Sequence, residues 1–198
     1  MGHLMSQGLS AVSRPLICEI NQAIADLPSG KATEYEAVPL EFYKVFMKII
    51  LPPFVQGIQN IWTSGEDAPS WNTTRIIVFL KNGKPSEELG SDRSISFINA
   101  DAKIVAKVLA AGLASLMSGL VLYYQHGFIP GRNTMAHVDN AIVAFDIAEK
   151  AGFNMGMILL DAEKVFDCVV WKSLSVTMAA FNFGCSFLKW LQAFYKSP

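Results

Sequence analysis

The sequence predicts an α+β fold, rich in helices and with a few short strands. Three observations carry that expectation. Apolar residues recur at helical spacing in several long segments. One β-branched, apolar run, Arg75 to Lys81, is followed by Asn82-Gly83, a turn signal. A shorter apolar run, Met155 to Leu160, ends in the carboxylate of Asp161.

In order along the chain, the spacing predicts a helix over Leu16–Leu27, with Ile17, Ile20, Ile24 and Leu27 on one side and Pro28, Ser29 and Gly30 ending it. A second helix is expected over Leu40–Ile50, interrupted at Pro52 and Pro53, with a further short helix to about Trp62. Ser64–Ser70 reads as a loop. Arg75–Lys81 is the first strand, Lys84–Asp92 a polar loop and Ser94–Ile98 the returning strand. Asp101 to about Val121 is a long apolar helix, and His126–Asn133 is a loop. Thr134–Lys150 is a helix with a buried stripe of Val138, Ala141, Ile142, Phe145 and Ala148, and Gly152 stands where a C-terminal cap belongs. After the strand at Met155–Leu160, helices are expected from about Lys164 to Phe181 and over Ser186–Tyr195.

Composition narrows the classes. The 198 residues are 52% hydrophobic and 17% charged, with a mean hydropathy of +0.32, which excludes disorder as the main state. The formal charge of −1 argues against a strongly basic nucleic-acid binder, although local basic strips are compatible with it. Cys18, Cys168 and Cys185 are far apart and form no CxxC pair, so neither a disulfide scaffold nor a zinc site is expected. Their pattern fits a reducing, intracellular compartment, nuclear or cytoplasmic. The N-terminal residues Met1–Ser10 lack the basic start and apolar core of a signal peptide. Val108–Gln125 carries no charge and approaches the length of a membrane span, but Gly112, Ser115, Ser118 and Gly119 dilute it. The preferred reading is a helix buried on most sides, with no membrane partner.

The segment most informative about chemistry is Met157–Trp171, MILLDAEKVFDCVVW. A strand delivers Asp161 at its C-terminal end, where a sheet holds a metal ligand in the open. Phe166 follows five residues later, with Asp167 beside it. Taken alone, the segment reads first as an ordinary strand-to-helix turn with Asp161 or Glu163 near a helix N-terminus.

Four more blocks accompany it in order: LPSGKA with PLEFYK (Leu27 to Lys44), WNTTRIIVFLKNGK (Trp71 to Lys84), GSDRSISFINADAKIVAKVL (Gly90 to Leu109) and QHGFIPGRNT (Gln125 to Thr134). Together the five blocks resemble the reverse transcriptase of non-LTR retrotransposons, the long interspersed element type, over about residues 14–198. The resemblance implies a partial fingers and palm fold, fingers-like over about 14–152 and the start of the palm over about 153–198. It implies an RNA-directed DNA polymerase that uses Mg2+, an RNA template, a DNA primer and deoxynucleotides. By resemblance, Asp161 is the catalytic carboxylate and a magnesium ligand. Phe166 lies under the sugar of the incoming nucleotide. Arg93 grips the triphosphate with its planar fork, and Lys81 is a second nucleotide-binding residue, at the triphosphate or the template. Gln125, Gly127, Phe128 and Arg132 line the template path. The bland alternatives are a solvated turn lysine for Lys81, a loop cap for Arg132 and core packing for Phe128.

The chain also departs from the family. The later Arg-Gln-Gly and Asp-Asp motifs are not in these residues, and no Asp or Glu follows Asp167. The reading is therefore a truncated fragment, inactive by itself; the alternative is a non-catalytic nucleic-acid-binding remnant. Thr33 to Ala37 (TEYEA) replaces a Pro-Gly-Pro-Asp-Gly turn. Ser94 replaces the Pro after Arg93, and Asp92 stands where an aromatic is usual, an acid that weakens a phosphate grip. The basic residues Arg75, Lys81, Lys84, Arg93, Lys103 and Lys107 are offset by Glu87, Glu88, Asp92 and Asp101, so binding to nucleic acid is expected to be weak. Bare apolar surface and poor solubility are expected as well.

Overall fold

The computed structural model describes residues 17–30, 38–66, 68–71, 73–83, 85, 87, 89–162 and 164–195. Leu16, Thr33 to Ala37, Lys84, Glu88 and Glu163 lie outside the described residues.

The first helix, α1 (Ile17–Asp26), buries Ile20, Ala23 and Ile24, the stripe its spacing predicts. Behind it, the Gly30 amide donates to Glu41 Oε1, and Lys44 Nζ donates to the Leu27 carbonyl, so the end of α1 is tied to α2 (Leu40–Val45). The Gly30 bond holds the Glu41 carboxyl below its usual range. The break that follows falls at Phe46, and α3 (Met47–Ser64) runs straight through Pro52 and Pro53. This corrects the expected interruption. Each proline forfeits one backbone bond, but both lie on an exposed side where water reaches the carbonyls left over. Gly65, at φ 69, ends α3 in the left-handed conformation that favours glycine.

Strands β1 (Arg75–Leu80) and β2 (Asp92–Phe97) form an antiparallel hairpin, with Phe79 opposite Arg93 and Leu80 opposite Asp92. They make up the one two-stranded sheet among the described residues. The next helix, α4 (Ala100–Leu120), is long and apolar enough to cross a membrane. It is not buried on most sides, as the sequence suggested. Its first half supplies Ile104, Val105 and Val108 to the main core. The second half sets only Leu113, Leu116 and Leu120 against Phe183 and Phe187.

Helix α5 (Met135–Ala151) starts where Asn133 Oδ1 accepts the Met135 amide at 2.9 Å. It ends at Gly152, φ 71, with the Phe153 amide bonded to the Ala148 carbonyl at 2.9 Å, a Schellman arrangement. Its expected buried stripe is bare: Ala148 is buried, but Val138, Ile142 and Phe145 are exposed. The strand expected at Met155–Leu160 does not form. The segment takes no regular structure and has no neighbouring strand among the described residues, and a β ladder cannot exist without one. The helix expected from Lys164 is shorter. A turn occupies 164–168, and α6 spans Trp171–Ala180. Helix α7 (Cys185–Tyr195) closes the described chain.

One core joins α1, α3, α4 and α7 through Ile20, Ile24, Ile58, Ile104, Val105 and Trp190. The short helical turn Pro69–Trp71 is fastened to it by Asp101, which accepts from Ser70 Oγ at 2.6 Å and Trp71 Nε1 at 3.2 Å. Asp101 was expected to act as an acid offsetting nearby lysines; its carboxylate is instead engaged here. We expect Asp101→Ala to lower stability by about 2 kcal/mol, because two hydrogen bonds to a charged, part-buried acceptor are lost. Urea unfolding measures this, and a change below about 0.5 kcal/mol would show that the fastening is idle.

Candidate functional site

From Ala151 to Ser173 every described residue is exposed. Ile158, Leu159 and Leu160 are 86%, 83% and 92% exposed, an apolar run carried in the open. Asp161 follows it. The turn after Asp161 starts at Lys164, whose positive φ of 49 reverses the chain, and the Lys164 carbonyl accepts the amides of Asp167 at 3.0 Å and Cys168 at 3.1 Å. This local geometry puts Phe166 and Asp167 on the same side as Asp161.

That side faces the β hairpin. Asp161, Lys164, Phe166 and Asp167 share a cleft of 940 Å3 with Lys81, Asp92 and Arg93. Residues 80 positions apart in sequence thus meet across one space. Arg93 and Asp161 form no ion pair among the described residues, so the guanidinium and the carboxylate both remain open to a ligand. Three cations, Lys81, Arg93 and Lys164, face three anions, Asp92, Asp161 and Asp167. The net field of the cleft is consequently small.

Lys81 is partly committed. Its Nζ donates to the Gly90 carbonyl at 2.8 Å and its amide to the Ser91 carbonyl at 2.8 Å, so it also closes the hairpin loop. Phe128 is not a core residue. It is 94% exposed, sits at φ 62 and meets Phe166 edge-on at 6.4 Å between centroids. A bulky side chain at positive φ is strained, and such strain persists only where the surroundings enforce it. Gln125 Nε2 donates to the Gly127 carbonyl at 3.3 Å, an internal loop bond. His126 Nδ1 lies 2.7 Å from His137 Nε2, which pins the loop to α5.

Arg132 is the busiest residue of that loop. Its guanidinium donates to the carbonyls of Ser118, Val121, Leu122 and Gln125 at 2.5–3.1 Å. Two of these belong to the C-terminal end of α4, where helix carbonyls lack partners and favour a cation. This is the loop-capping role expected as the alternative for Arg132, although the acceptor carbonyls themselves are invisible in sequence.

Among the described residues no three His, Cys, Asp or Glu side chains are placed to hold one metal ion. Asp161 offers one exposed carboxylate, whereas a two-metal centre needs several converging ones. The donor set here does not fit such a centre, and no metal-dependent step follows from it.

The family described as reverse transcriptase (RNA-dependent DNA polymerase) matches residues 80–197. A 149 kDa protein of the transposon TX1 from Xenopus laevis is 28% identical over 182 residues, 90% of this chain. The chain spans 14% of that relative's length. With a match over more than half of its residues, the chain belongs to the reverse transcriptase family.

Proposed function

We propose that this chain is the fingers region and the start of the palm of an RNA-directed DNA polymerase from a non-LTR retrotransposon, and that these 198 residues do not polymerise by themselves. The observation that carries the reading is the meeting of Asp161 and Phe166 with Arg93 and Lys81 in one cleft. A nucleotidyl transferase needs a carboxylate, an aromatic floor for the sugar and a cationic grip on the triphosphate within one nucleotide's length. The exposed, edge-on pair of Phe128 and Phe166 supports a template path that runs beside the same cleft. The inactivity proposed for these residues alone is supported by the donor set, since no three carboxylate, His or Cys side chains among the described residues converge to hold a metal ion. Nuclear or cytoplasmic action accompanies this reading.

Primer extension with an RNA template, magnesium and four deoxynucleotides is expected to yield no template-dependent product. A product that disappears in Asp161→Ala would overturn the inactivity. Deoxynucleoside triphosphate binding, followed by calorimetry, is expected to weaken about tenfold or more in Arg93→Ala, the loss of a charge-assisted hydrogen bond. Equal binding by both proteins would sink the assignment of the cleft. The alternative, a nucleic-acid-binding remnant with no tie to polymerisation, predicts no triphosphate binding at all.

A further inference from the structure

We propose that the cleft between the end of α3 and the α6–α7 pair is a separate site for single-stranded nucleic acid, taken by base stacking. It has a volume of 620 Å3, and none of its lining residues is shared with the Asp161 cleft. The proposal rests on this cleft's own residues and stands whether or not the chain takes part in polymerisation.

Two aromatic pairs line it. Trp62 and Trp190 lie 5.4 Å apart, and Trp190 is 1% exposed, so this pair anchors the cleft to the core. Trp171 and Tyr195 lie 5.6 Å apart and are 38% and 43% exposed. Their free faces are stacking platforms of the kind that tolerate any base. The buried Trp190 Nε1 has no hydrogen-bond partner within the protein, a donor left over on a residue that lines the cleft.

Charge selects the partner. Lys172 and Lys189 both line the cleft and are exposed, and neither has a carboxylate partner among the described residues. Lys189 Nζ stands 5.3 Å from the Trp62 ring centre, a cation–π contact that keeps the ammonium at the aromatic wall. No acid lines the cleft, in contrast to the Asp161 cleft, where anions equal cations. Lysines beside exposed aromatics match alternating phosphates and bases. A duplex hides its base faces from Trp171 and Tyr195, and an inorganic anion leaves them unused.

The test is fluorescence anisotropy of a labelled ten-nucleotide oligouridylate, measured on the whole chain in the Arg93→Ala background to silence the first cleft. Binding is expected to weaken with salt, with a log–log slope of about −1.4 for two lysines on a single strand. Trp171→Ala is expected to cost about fivefold or more. Lys172→Ala with Lys189→Ala is expected to remove most of the salt slope. Ser175→Glu, which adds a carboxylate to the wall, is expected to abolish binding while the circular dichroism spectrum stays unchanged. Equal affinity for a duplex of the same length would overturn the proposal. So would undiminished binding in the Trp171→Ala or the double lysine variant.

Discussion

Trp190→Ala is expected to remove about 3–5 kcal/mol, and with it most of the cooperative fold. Native domains hold only about 5–15 kcal/mol in total. Trp190 is the one buried aromatic of the main core cluster, 1% exposed, and it touches that core from a different helix than Ile20, Ile58 or Ile104. Its ring stands 5.4 Å from Trp62 and 6.4 Å from Trp71, so its loss unseats both neighbours. Trp71 also stacks on Phe194 at 4.7 Å, and that stack ties α7 to the Asp101 fastening. Trp190→Phe is the informative companion. It keeps an aromatic ring and removes the buried Nε1 that has no acceptor, relieving about 1–3 kcal/mol of desolvation cost. We expect its urea midpoint to lie much nearer to wild type than that of Trp190→Ala. A Trp190→Ala protein with an unshifted midpoint would take α7 out of the core.

The elements with strong local signals were legible in the sequence. The stripe of Ile20 and Ile24 gave α1, the run at Arg75 followed by Asn82-Gly83 gave the hairpin, and Gly152 marked the end of α5. These depend on period and on glycine at positive φ, both local properties. What failed depends on partners. Met155 to Leu160 has strand composition, yet with no strand beside it among the described residues the backbone has nothing to pair with. The apolar stripe of α5 is correct as a pattern but is covered only at Ala148, so Ile142 stays 62% exposed. Pro52 and Pro53 misled because a break was inferred from two missing amides, while an exposed helix side loses little by them. In the site, the types of Asp161, Phe166, Arg93 and Lys81 were readable through family resemblance. The resemblance also implied that they meet around one nucleotide, but the left-handed turn at Lys164 that brings Phe166 and Asp167 to the cleft had no local signal. The task of Asp101 was hidden because only folding brings its partners near, whereas the loop-capping role of Arg132 was one of the two readings its position offered.

Arg132→Ala is expected to loosen the whole segment from Val121 to Thr134, at a cost of about 2–3 kcal/mol. Four carbonyls accept from one guanidinium, and bonds to charged donors are worth about 1.5–3 kcal/mol each when buried. Most of these lie near solvent, so water recovers a large part and the sum is far below four times that value. Arg132→Lys separates geometry from charge. An ammonium supplies the positive charge at the end of α4 but cannot span carbonyls of both the helix and the loop. It should therefore recover less than half of the loss. Hydrogen exchange of the amides of residues 121–134 reads this directly, with faster exchange confined to that segment while Ile104 and Val105 keep their protection. Slow exchange retained in Arg132→Ala would mean that the His126–His137 contact holds the loop without it, leaving the guanidinium free for the template path. The same loop carries Phe128 to the edge of Phe166. If Arg132 sets its shape, the alanine variant should also raise the accessibility of Phe166, whereas a residue that only touches template would leave the unliganded protein unchanged.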